Sequence, residues 1–259
     1  DRISAQNVKL LLTGAVFRDM HLNFDSQISG HGFNSLKTNI DASVTLDNAH
    51  FNNFSMEGLL GKRKFTSKIE GDLIFTGGLG YQGSVRIKAD DASGLHESLK
   101  GEFSLNSNLS IGYDPDRDEV IFDVADLKSD FYFNSHRASL DVENFLGSVK
   151  DGFSVDDFRL SQDNNYVVLK GDVSENSHLE GWVSVSDLSK LDPKTKGAFA
   201  GKILIEGALN EPNIFVSGKS EKINYEDLLV RKLVFDSNLN VASGSLNLSV
   251  ISNTIRLAR

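Results

Sequence analysis

Apolar and polar side chains alternate along this chain in segment after segment. From Leu36 to Leu46 the even positions are Leu36, Thr38, Ile40, Ala42, Val44 and Leu46, while Lys37, Asn39, Asp41, Ser43 and Thr45 between them are polar. Tyr81, Gly83, Val85, Ile87 and Ala89 alternate with Gln82, Ser84, Arg86, Lys88 and Asp90. Leu99, Gly101, Phe103, Leu105, Leu109 and Ile111 alternate with Lys100, Glu102, Ser104, Asn106, Asn108 and Ser110. A period of two marks strands with one dry face and one wet face. The pattern predicts strands at 7–12, 15–24, 36–46, 49–57, 65–76, 81–90, 99–111, 119–125, 129–135, 138–144, 153–160, 165–173, 179–185, 198–209, 213–220, 228–241 and 245–251. Turn residues join many of them, as at Gly77-Gly78, Asp90–Gly94, Asp114-Pro115-Asp116, Asp163-Asn164-Asn165 and Ser243-Gly244. Short connections imply antiparallel meanders. Helical spacing is absent beyond a single turn at Ser186–Lys190 and a weaker one at Tyr225–Leu229. A sheet of so many long strands has to twist, curl or close.

One face of that sheet is apolar, and the question of function becomes what covers it. The hydrophobic fraction is 39%, with 17 Phe against one Trp and 5 Tyr, a bias towards rings without a polar handle. Two arrangements fit the pattern. The sheet packs on itself as a sandwich or closed barrel, or its walls curl without touching and leave a trough. The net charge of −9 and pI near 5.2 argue against nucleic acid as a partner. Lys62, Arg63 and Lys64 form the one basic run and read as a solvated turn after Gly61. Without cysteine there are no disulfides and no thiolate metal sites. The longest apolar runs, such as Leu10–Leu12 and Val167–Leu169, fall far short of the ~20 residues that span a bilayer. The chain begins and ends inside patterned segments, which reads as a piece of a longer protein.

Motifs that carry chemistry elsewhere lack their structural requirements in this chain. Gly78-Leu79-Gly80-Tyr81-Gln82-Gly83 matches G-x-G-x-x-G, but a dinucleotide site needs a helix next and a strand follows instead. Asp114, Asp116 and Asp118 imitate the start of a calcium loop, but Glu119 stands where Gly is required and Ala125 where Glu is. They read as an acidic hairpin tip. His21, His31, His50, His96, His136 and His178 are scattered, with no pair at ligand spacing. No nucleophile elbow occurs. The reading is a non-enzyme with no metal and no cofactor.

The stretch 179–239 carries a resemblance. Asp187, Leu188, Leu191 and Pro193 form a short linker, then Gly197, Gly201 and Gly207 are spaced along a strand, and Asn210, Glu211, Pro212 and Asn213 make a turn. This resembles the TamB branch of the AsmA-like, bridge-type lipid-transfer proteins, the translocation and assembly module subunits of Gram-negative envelopes. The specific likeness covers about a quarter of the chain. The upstream half lacks a second copy of the linker. The resemblance implies an all-β fold with almost no helix, a long curled antiparallel β-taco with an open, U-shaped hydrophobic groove. It further implies a periplasmic segment of a protein anchored in the inner membrane by a helix outside this chain. Phospholipid acyl chains would be the cargo and a TamA-like outer-membrane barrel the partner, with a role in outer-membrane protein assembly.

On this reading residues 1–186 form a long-stranded segment, 187–197 a linker turn and 198–259 a continuation of the sheet. The expected groove lining is Leu36, Ile40, Val44, Phe75, Val85, Ile87, Phe103, Leu105, Leu109, Ile203 and Ile205, chosen for strict parity on long strands. Two rivals come from other classes. One is a scaffold or chaperone that pairs an edge strand with a nascent barrel strand. The other is a structural or adhesive β-solenoid, which the unequal strands and hairpin turns disfavour.

Overall fold

The structure is a computed structural model that describes all residues except 1–3, 16, 17, 31, 32, 61, 62, 95–98, 134, 135, 149, 191, 209, 258 and 259. His31, Lys62, His96 and Leu191, singled out above, lie outside the described residues. Among the described residues, eighteen strands belong to one antiparallel sheet that is not closed into a barrel. The chain divides into two compact units, Asp1–Leu140 with Asn144–Lys150, and Asp141–Glu143 with Asp151–Arg259.

The first unit contains β1 (Ser4–Ala15), β2 (Asp19–Gly30), β3 (Phe33–Val44), β4 (Asn48–Leu60), β5 (Arg63–Ile74), β6 (Gly80–Ala89), β7 (Phe103–Asp114) and β8 (Glu119–Phe133), and most of β9 (His136–Ser148). Consecutive strands from β1 to β8 pair antiparallel. The alternation fixes the register, because a slip of one residue would turn every apolar side chain to water. Thus Phe24 lies opposite Ile40, Ile40 opposite Phe54, Phe54 opposite Ile69 and Ile69 opposite Val85. The rows between them are polar, as in Asn23 opposite Asp41 and Lys68 opposite Arg86.

The second unit contains β10 (Gly152–Gln162), β11 (Asn165–Val173), β12 (Ser177–Val185), β13 (Thr195–Gly197), β14 (Phe199–Gly207), β15 (Asn213–Tyr225), β16 (Leu228–Asn240), β17 (Ser245–Ile251) and β18 (Thr254–Leu257). β13 and β14 both pair with β15, and β17 and β18 both pair with β16. Each of these couples is one long strand interrupted, at Ala198 and at Ser252-Asn253. These two interruptions add two strands to the seventeen the pattern predicts, and the fusion of two predicted segments into β8 removes one, which leaves eighteen among the described residues.

Three expectations change. The segments 119–125 and 129–135 are a single strand, β8, because the loss of phase between them is a bulge and not a turn. Asp126 has φ 52°, and the register shifts between Asn106 and Asn108. Tyr225–Leu229 is no helical turn: Tyr225 pairs with Leu228 across a tight hairpin, with Glu226 at φ 49°. Arg63 and Lys64 lie in β5, not in a solvated loop, and are paired with Asp91 and Glu57 at 2.9 Å each. The single turn expected at Ser186–Lys190 is present as a 3-10 turn at Leu188–Lys190. Gly77 and Gly78 turn the β5–β6 hairpin, and strand, not helix, follows them.

Candidate functional site

On β1 and β17 the side chains of the apolar face have little above them, whereas Leu36, Ala42 and Ala49 further in are 8%, 0% and 6% exposed. A compact monomer of 28.4 kDa exposes about 11,000 Å², and two separate halves of that mass about 13,500 Å² together. This chain exposes 16192 Å², and no large side chain among the described residues is fully buried. On β1, Leu10 and Leu12 face Phe24 and Leu22 across the pair, yet are 60% and 52% exposed. On β17, Leu248 and Val250 are 61% and 57% exposed. A sandwich with interlocked walls would bury such rows to a few per cent.

In the first unit the structure brings Leu36, Ile40, Val44, Val85, Ile87, Phe103, Leu105 and Leu109 to one face. Ile87 lies directly opposite Leu105, Ala89 opposite Phe103 and Gly83 opposite Leu109. Leu36 reaches the same face through Gly58, Phe65 and Ala89, and Val44 through Ala49 and Leu73. Phe75 sits just past the end of β5, in the hairpin loop, and is 43% exposed. In the second unit Ile203 and Ile205 share a face, opposite Gly181 and Leu179 on one side and Val216 and Ile214 on the other.

Parity missed several side chains on these faces. Phe51 and Phe54 are three residues apart but lie on one face, with ring centroids at 5.9 Å, because a register shift in β4 falls between them. Phe122 and Phe145 stack at 5.2 Å, as do Phe199 and Phe235 at 5.8 Å. A run such as Phe51-Asn52-Asn53-Phe54 carries the signal of a bulge, two polar residues where alternation allows one. The opposite face of the second unit is less polar than alternation suggests. It carries Trp182 under the Lys202 ammonium at 5.8 Å, and Leu204 directly across from Phe215.

The polar face of the first unit is laced by side-chain hydrogen bonds. Asn39 donates to Asp25 at 2.8 Å, and Asn53 donates to Asn39 at 2.5 Å. A hydrogen bond and the charge of Lys64 hold Glu57 below the usual carboxylate range, and Lys68 does the same to Glu70. The acidic hairpin tip is self-satisfied: Asp114 accepts from the backbone N–H groups of Asp116 and Arg117, and Tyr113 donates to Asp118.

An uncovered apolar sheet can belong to more than one kind of protein, and a family comparison decides between them. The TamB N-terminal domain family matches residues 1–256. The chain belongs to the TamB family. Neither the curated proteins nor the solved structures give a match. Among the described residues no helix is long and apolar enough to cross a membrane.

The linker that carries the likeness to the TamB family has a defined geometry. Asp187 accepts from the Ser189 hydroxyl at 2.6 Å and backbone N–H at 3.0 Å, which caps the 3-10 turn and holds its carboxyl below the usual range. Asp192 accepts from the Thr195 hydroxyl at 2.7 Å and the Lys194 N–H at 3.1 Å and is lowered for the same reason. Asn165, 5% exposed at the start of β11, fastens the linker by accepting from the Ser186 N–H at 2.9 Å and hydroxyl at 3.1 Å. Lys190 pairs with Asp163 beside it. Neither Asn165 nor Asp163 stood out in the sequence as more than a turn residue.

Proposed function

We propose that the apolar faces of this TamB-family chain shield phospholipid acyl chains. The chain would be a periplasmic segment of a bridge protein anchored in the inner membrane, passing lipid between inner and outer membranes. The observation that carries this reading is the apolar face, continuous across the paired strands of each unit and left exposed on β1 and β17. An acyl chain of sixteen carbons laid on such a face avoids a cost of roughly 10 kcal/mol, at ~0.8 kcal/mol per CH₂ kept from water. Movement along rows of Leu, Ile, Val and Phe meets no strong directional bond, so no cofactor and no catalytic residue are required. Membership of the family supports a role in outer-membrane protein assembly with a TamA-like barrel. The scaffold reading, by edge-strand pairing, draws support from β1, whose residues are all exposed.

Parity supplies the test. Ile87→Asp or Leu105→Asp places a charge on the apolar face and is expected to lower bound phospholipid by an order of magnitude or more, since about 1.4 kcal/mol is tenfold. Lys88→Gln and Asn106→Ser change the polar face and are expected to leave it unchanged. Native mass spectrometry of the intact protein, with quantified co-purified phospholipid, reads both. Absence of lipid from the wild type, or equal losses at both parities, overturns the reading.

A further inference from the structure

We propose that the second unit binds a neutral glycan chain on the face opposite to that of Ile203 and Ile205; this goes beyond the lipid reading above and does not rest on it. Two cross-strand rows run side by side over β14, β15, β16 and β17. In one, Lys202 lies opposite Ser217, Ser217 opposite Asp236 and Asp236 opposite Ser249. In the other, Leu204 lies opposite Phe215, Phe215 opposite Asn238 and Asn238 opposite Asn247. The register is unbroken over these stretches, so the two rows share one face. Both line a cavity of about 820 Å³, a size common among ligand sites.

The polar end of the cavity is left open by the protein. Asp236, Asn247 and Ser249 are exposed, and none of them, nor Ser217, makes a side-chain hydrogen bond among the described residues. In the next row of the same face, by contrast, Asn240 donates to Asn213 at 2.7 Å. Amide and hydroxyl groups donate and accept, and a carboxylate accepts, so the ligand has to bring donors and acceptors together. Lys202 and Asp236 are the charged residues of the lining, and the Lys202 ammonium lies over the Trp182 ring at 5.8 Å. The ligand therefore needs no net charge. At the other end Leu204 and Phe215 make an apolar floor, which Trp182, opposite Lys202, extends. A sugar chain meets these conditions. The C–H groups of its ring faces lie on apolar and aromatic side chains, while its hydroxyls donate and accept at the edge. An acyl chain would leave the polar end without partners. An extended peptide would seek a free strand edge, and β14, β15 and β16 are paired on both sides.

Trp182 is the single tryptophan of the chain, so its emission reports on this face. Intact protein is titrated with cellotetraose and with chitotetraose, both neutral, and the same titrations are followed by calorimetry. One sugar or both are expected to change the Trp182 emission in a saturable way. Asn247→Ala combined with Ser249→Ala, at exposed positions that do not threaten the fold, is expected to weaken the binding about tenfold, the effect of two lost hydrogen bonds. Phe215→Ala, which removes the ring from the floor, is expected to weaken it as well. No saturable change with either sugar, or an affinity that the Asn247 and Ser249 double variant leaves unchanged, overturns the proposal. A change in Trp182 emission with phosphatidylcholine vesicles but with neither sugar also overturns it and assigns this face to lipid.

Discussion

Gly71 and Gly83 face each other across β5 and β6. Gly71 has φ +147°, and a Cβ there would stand 2.2 Å from the Gln82 carbonyl oxygen. Tyr81 reaches across this bare pair, and its hydroxyl donates to the Glu70 carbonyl at 3.0 Å. The hydroxyl lies 2.5 Å from where a Gly83 Cβ would be. Burial, with Asp72 and Glu70 nearby, raises the Tyr81 pKa. Gly71→Ala is expected to destabilise the protein by about 1–3 kcal/mol through backbone strain and collision, measured by chemical denaturation. Gly83 reads in the sequence as an ordinary slot in the apolar phase. That a second glycine stands opposite, and that a tyrosine lies over both, depends on a register that local pattern does not contain.

The linker between β12 and β14 is an element held by charges at its own turns. Asp187 and Asp192 have folded pKa values below those of an unfolded chain, since each carboxylate accepts two hydrogen bonds. The stabilisation they give is complete above the ordinary carboxylate value, near 3.9, and is lost as pH falls through the depressed folded values. Amide hydrogen exchange across 186–197 is therefore expected to accelerate as pH drops below about 4 relative to the intrinsic rate. Asp187→Asn should flatten that dependence. Unchanged protection down to pH 2 would show that the caps do not hold the linker. The turn itself was readable from Asp187 and Pro193, both local signals. Its fastening to Asn165, 21 residues upstream of Ser186, was not, because that contact exists only once β11 and β12 pair.

For the whole molecule, an uncovered face leaves a thermodynamic signature. An unfolded chain of this mass exposes about 41,000 Å². Unfolding from 16192 Å² thus uncovers about 25,000 Å², against about 30,000 Å² for a compact protein of equal length. The urea m-value follows this area and is expected to be about a sixth lower than that of compact proteins of equal length. Equilibrium unfolding measures it. A full-sized m-value would mean that the apolar walls have closed on one another in solution.

Which residues share a face was written in the chain, because a period of two is a local property of an extended backbone and needs no distant partner. Ile87 and Leu105, or Ile203 and Ile205, could be assigned together from parity alone, and the linker turn from its caps and proline. Whether anything lies above that face was not local. A sandwich and an open trough demand the same alternation and differ only in how strands far apart in the chain approach one another. Bulges such as Asn52-Asn53 and Asp126 shift phase by one residue, so the pattern read one strand as two at β8 and lost Phe51 and Phe54 as companions. Tertiary structure decided these points, because burial and register are set by neighbours in space.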